Sequence, residues 1–113
     1  DNNHKSLIEV QIEELKDLQT QVETILMSIK DMIVSGNYQK IDDLINLQHE
    51  LLSRLASIKK KQIKRIKREE VGTKNSLLYF TLTNETKNLL LNSINLLKSQ
   101  RDFTIFDEEQ TKK

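Results

Sequence analysis

Apolar side chains recur along this chain at three- and four-residue intervals in three long runs, and that spacing predicts three amphipathic helices. The first run is Ile8, Ile12, Leu15, Leu18, Val22, Ile25, Ile29 and Met32, widened by Leu26 and Ile33, with Glu9, Glu13, Glu14, Asp17 and Glu23 mostly off the stripe. Ser6 with Glu9 three residues on has the form of a capping box, so a helix over about 6–35 is expected. The second run, over about 38–69, carries Ile41, Leu44, Ile45, Leu51, Leu52, Leu55, Ile58 and Ile66. In its last third, at roughly 100° per residue, Ile58, Gln62, Ile63 and Ile66 share one arc, and Lys60, Lys61, Lys64, Arg65, Lys67 and Arg68 fan over the opposite one.

The third run, over about 73–102, is rich in Leu and Asn, and its Leu77–Leu97 stretch is expected to be the most buried of the chain. Leu78, Leu82, Leu89 and Leu96 form the predicted main seam, flanked by Tyr79, Leu90 and Leu97. Phe80, Leu91 and Ile94 lie well off that seam and widen the apolar arc beyond half the helix. A helix in a three-helix bundle touches two neighbours, so this second set predicts an interaction surface for a further partner. Thr81, Asn84, Asn88, Asn92 and Asn95 form a polar stripe whose default reading is a solvent-exposed edge. The tail after Phe103 is expected to fray.

The chain has 113 residues, no Pro, and two glycines, Gly36 and Gly72, which divide it into thirds of similar length. Val34-Ser35-Gly36-Asn37 reads as a stop followed by a start, with Gly36 in the left-handed position and Asn37 as the next cap. Helices of about 30 residues, roughly 45 Å each at 1.5 Å per residue, joined by short turns predict one all-α domain spanning 1–113, an antiparallel three-helix bundle. The first residue is Asp1 rather than Met, so a fragment of a longer chain is expected.

Composition narrows the chemistry. There is no Cys, hence no disulfide, no thiol nucleophile and no thiolate metal site, which fits a reducing compartment. No run of about 18 apolar residues is present and no signal peptide is visible. The net charge of +1 hides a segregation: −5 over residues 1–58, +7 over 59–68 and −1 over 69–113. The basic block suits an anionic lipid surface or another anion. Its default reading is a solvated face compensated by Glu9 and Glu13, which an antiparallel hairpin places beside it. No aromatic residue interleaves the block, so single-strand stacking and nucleic-acid binding are not expected.

Glu13 and Asp17 stand at i, i+4, and Asp42 with Asp43 opens the second helix, but carboxylates at such spacing are ordinary on helix surfaces. His4 and His49 have no second ligand at coordination spacing. Glu85 borders the third seam without the second group that acid–base catalysis needs. No Gly-rich phosphate loop, nucleophile elbow or His/Cys constellation occurs. No enzyme activity, cofactor or metal is expected.

Asn2-Asn3-His4-Lys5-Ser6-Leu7 with Glu13-Glu14-Leu15-Lys16-Asp17-Leu18 resembles a segment of bacterial PiT-type inorganic phosphate transporters. So do Asn75-Ser76-Leu77-Leu78-Tyr79-Phe80, Asn84-Glu85-Thr86-Lys87-Asn88-Leu89 and Asn95-Leu96-Leu97-Lys98. The segment is the PhoU-like helical region that follows the membrane-spanning part, and the similarity covers most of the chain. The resemblance implies a three-helix, PhoU-type repeat on the cytoplasmic side of the bacterial inner membrane. It would pack against the membrane-spanning part or a second helical repeat of the same transporter, or form a homodimer. PhoU proteins bind metal clusters through E/D-x-x-x-D motifs. Here Glu85 matches the first acid of that motif but Leu89 stands in place of the second, and Glu13 with Asp17 is alone in having the spacing. A helical-bundle scaffold or adaptor of coiled-coil type, unrelated to phosphate, is the alternative reading.

Overall fold

A computed structural model describes residues 7–112. It contains α1 (Glu9–Ser35), α2 (Ile41–Lys67) and α3 (Thr73–Thr111), each packed against the other two, with no strand among the described residues. Cross-helix bonds fix the directions. Glu14 and Asp17 of α1 meet Arg65 and Arg54 of α2, so those helices are antiparallel. Gln11 and Glu14 meet Asn75 and Tyr79, so α1 and α3 are parallel. The result is the expected all-α, up-down-up three-helix bundle, a rod of 65 × 27 × 17 Å.

The elements begin and end for local reasons. Ser6, the expected cap, lies outside the described residues. Within them α1 starts at Glu9, and the Gln11 side chain reaches back to accept the Ile8 N–H at 3.0 Å, as a capping-box glutamine does. At its other end Gly36 adopts φ +70° and donates to the Met32 carbonyl at 2.9 Å, the left-handed stop expected of it. Asn37 is not the cap of α2. Its Oδ1 accepts the Gln39 N–H at 3.0 Å, forming an Asx turn that delays the helix to Ile41.

Gly72 does not end α2. That helix stops at Lys67, and the left-handed residue of the second turn is Glu69, at φ +58°. The Glu69 N–H donates to the Ile66 carbonyl at 3.0 Å and the Glu70 N–H to the Arg65 carbonyl at 2.9 Å, the two bonds of a Schellman motif. Gly72 is extended (φ −96°) and caps α3.

Leu18, Val22, Ile25 and Ile29 of α1 meet Ile41, Leu44, Leu51, Leu55 and Ile58 of α2 and Tyr79, Leu90, Ile94 and Leu97 of α3 in one core. Burying each such side chain contributes about 1.5–3 kcal/mol. The expected main seam of α3 is corrected: Leu82, Leu89 and Leu96 are 37–53% exposed. The core arc instead runs through Ser76, Tyr79, Thr83, Leu90, Ser93, Ile94 and Leu97. Nor is α3 the most buried helix. Eight side chains of the 27 in α2 are buried, against seven of the 39 in α3, because no residue after Leu97 is fully buried. The tail beyond Phe103 does not fray at once. With no glycine or proline to stop it, α3 continues to Thr111, and Arg101, Thr104, Ile105 and Glu108 border a shallow groove with Gly36, Tyr38 and Gln39 of the first turn.

Candidate functional site

At the end of the rod where α1 begins, α2 ends and α3 begins, polar side chains take the positions that are apolar elsewhere. Gln11, Gln62, Arg65, Ser76 and Tyr79 are all buried there. Gln11 and Asn75 form a reciprocal amide pair, each donating to the other at 2.7 Å, and Gln11 Nε2 also donates to Gln62 Oε1 at 2.9 Å. Gln62 Nε2 in turn donates to Ser76 Oγ at 3.2 Å. Arg65 Nη1 donates to Gln62 Oε1 at 3.0 Å and Nη2 to Glu14 Oε2 at 2.7 Å, while Tyr79 donates its hydroxyl to Glu14 Oε1 at 2.6 Å. The guanidinium carbon lies 5.9 Å from the centre of the Tyr79 ring. All three helices contribute, and among the described residues no buried side-chain polar atom lacks a partner.

The electrostatics follow from that geometry. Burial acts to raise the Glu14 carboxyl, but hydrogen bonds from Arg65 and Tyr79, the Arg65 charge and the more distant Lys61 charge outweigh it and hold the group below its ordinary value. Burial pushes the Tyr79 phenol up, and the adjoining Glu14 carboxylate adds to the shift. The hydrogen bond to Glu14 raises Arg65. Glu14 is thus held ionised and Tyr79 held as the neutral phenol, so neither exchanges a proton near pH 7. The layer is a closed charge pair inside a neutral amide cage.

The basic block is divided by the fold. Arg65, expected on an anion-facing surface, points inward, because the face of α2 that meets α1 and α3 runs through Ile58, Gln62 and Arg65 rather than through Ile63 and Ile66. Lys61 is exposed, and its charge helps lower Glu14. Lys60, Lys64, Lys67 and Arg68 are exposed, and Lys59 donates to Asn84 Oδ1 at 2.7 Å. Among the described residues Glu9 and Glu13 are exposed and form no ion pair with the basic block; the ion pairs joining α1 to α2 there are Arg65–Glu14 and Arg54–Asp17.

Of the three residues expected on the α3 interaction surface, Ile94 is 1% exposed and belongs to the core; Phe80 and Leu91 are half-buried. The apolar strip that α3 does expose is Leu82, Leu89, Leu96 and Phe103. It adjoins a groove lined by Leu15, Gln19 and Val22 of α1. Thr81, Asn84, Asn88, Asn92 and Asn95 are exposed, as read from the sequence. His49, Asp42, Asp43 and Glu85 are exposed, His4 lies outside the described residues, and among the described residues no three His, Asp or Glu side chains converge. No described helix is long and apolar enough to cross a membrane.

Sequence reasoning did not find the polar layer, though a signal was present: Gln11 stands seven residues before Leu18, Gln62 four after Ile58 and Ser76 three before Tyr79, all in phase with the apolar stripes. No family model, curated protein or solved structure matches this chain.

Proposed function

We propose that this chain is a non-catalytic regulatory or assembly domain of an inorganic phosphate transporter, on the cytoplasmic side of a bacterial inner membrane. It works by packing against a second helical repeat, for which another copy of the chain can stand in. The observation that carries the packing role is the strip Leu82, Leu89, Leu96 and Phe103, which recurs every seven residues over about 32 Å of helix and stays open to solvent. Its borders are mostly neutral (Thr81, Asn88, Asn92 and Ser99, with Glu85 the acid beside Leu82 and Leu89) in a chain in which 31% of residues are charged, and depletion of charge marks the core of an interface. The phosphate assignment rests on the resemblance of the Asn75–Lys98 and Asn2–Leu18 segments to the PiT transporters.

Mass in solution tests the packing role. Self-association at micromolar concentration, abolished by Leu89→Lys and Leu96→Lys with helicity unchanged, is expected; a strictly monomeric chain indifferent to both substitutions refutes it. A scaffold or adaptor unrelated to phosphate is the second reading, favoured by the seven-residue interval itself, which any partner helix can use. The gene upstream of Asp1 separates the two, since the transporter reading requires many apolar spans there.

A further inference from the structure

The face that α2 and α3 share at the second turn combines two features that a merely solvated surface does not need together. Ile63 and Ile66 of α2 are 46% and 40% exposed, and Leu77 of α3 is 68% exposed. Ile66 and Leu77 border one shallow groove with Val71, Gly72, Thr73 and Ser76, so the apolar side chains of the two helices are continuous across the turn. Around them stand cations. At about 100° per residue, Lys59 lies between Ile63 and Ile66 and Lys60 and Lys67 flank Ile63, so these two, expected on the opposite arc, border the exposed isoleucines; Lys64 and Arg68 lie beyond, and Lys74 is in the first turn of α3. The Lys59–Asn84 hydrogen bond shows that this side of α2 faces α3. None of these six groups is in an ion pair among the described residues. The acids nearest in sequence, Glu69 and Glu70, sit at the turn and offset only part of the charge.

We propose that this hairpin face docks on an anionic lipid surface, with Ile63, Ile66 and Leu77 entering the headgroup region and the surrounding lysines meeting lipid phosphates. Charge complementarity requires an anionic occupant. The shape of the patch favours a bilayer over an acidic partner helix. A helix seated in a groove needs anchors spread over i, i+3, i+4 and i+7, whereas these side chains cluster at one tip of a 65 Å rod, within one turn of α2 and the second turn of α3. A bilayer accepts a few apolar side chains at a tip, and long lysines lay their methylenes on its surface with the ammonium groups in water. The inference is independent of the leucine strip and of any link to phosphate.

Co-sedimentation of the chain with phosphatidylcholine vesicles, with and without about 30% phosphatidylserine, tests it. Partition into the anionic vesicles only is expected, falling steeply between about 0.1 and 0.5 M salt. Each lysine near the surface supports roughly a fivefold gain, so the triple variant Lys60→Glu, Lys64→Glu, Lys67→Glu loses at least a hundredfold. Ile63→Ser with Leu77→Ser, at exposed sites that leave helicity intact, loses roughly tenfold at unchanged charge. Equal partition into neutral vesicles, no partition into either, or anionic binding indifferent to the serine pair overturns the proposal. So does capture of an acidic amphipathic peptide without vesicle binding. Neither variant set alters the leucine strip, so the mass in solution reports separately on self-association.

Discussion

Replacing Glu14 by Gln removes one charge from the polar layer while keeping the side chain's shape and one carbonyl acceptor. Glu14 and Arg65 are 13% and 10% exposed in their side chains, so the substitution leaves a nearly buried guanidinium with no opposing charge, facing only neutral groups such as the Gln62 amide and Tyr79. Removing one member of a buried pair costs about 3–5 kcal/mol. The residual exposure and the retained acceptor place Glu14→Gln below that range, at about 2–3 kcal/mol. At roughly 4 °C per kcal/mol for a domain of this size, the midpoint falls by about 10 °C in a calorimetric or circular-dichroism melt. The double variant with Arg65→Met is expected to cost less than the sum of the single ones, with a coupling of about 1–3 kcal/mol, because the second change removes the stranded charge.

The acid dependence supplies an independent readout. Glu14 is held below its ordinary value of 4.5, so its contribution is fully present above that pH and is lost as pH falls through the lower, folded-state value. Glu14→Gln should remove that part of the acid limb. A loss under about 0.5 kcal/mol, additive single and double variants, or an unchanged acid limb would refute the reading of this layer as a closed, buried charge pair.

Three further predictions concern the same frame. The Tyr79 phenol is raised above its ordinary value of 10.0, so its contribution is intact below pH 10 and is lost as pH rises beyond it; Tyr79→Phe should abolish that alkaline limb while costing about 1.5 kcal/mol near neutral pH. Glu69 is the left-handed residue of the second turn, so Glu69→Gly should raise stability by about 1 kcal/mol, whereas Gly36→Ala should lower it by a similar amount although its new Cβ meets open space. Both are checked by urea unfolding. Leu55→Ala, at 2% exposure in the middle of the core, should cost about 2–5 kcal/mol, and a change under 1 kcal/mol would contradict the packing described.

The helices, their order and the first corner were legible in the sequence because they depend on local physics. The 3.6-residue period of apolar side chains, the absence of proline and a glycine at φ +70° are each decided within a few neighbouring residues. What local pattern could not decide was which arc of each helix turns inward. On α3 the larger leucines at 82, 89 and 96 are in phase with one another, yet the bundle buries the neighbouring arc of Ser76, Tyr79, Thr83, Leu90 and Leu97. There Tyr79 reaches Glu14 of α1. Arg65 belongs by composition to a basic surface. It is inward because a carboxylate from α1, 51 positions away, meets its charge. Such pairings are absent from any single stretch of chain. They exist only where three helices bring distant polar groups within hydrogen-bond reach, since burying any one of them alone would cost more than it returned.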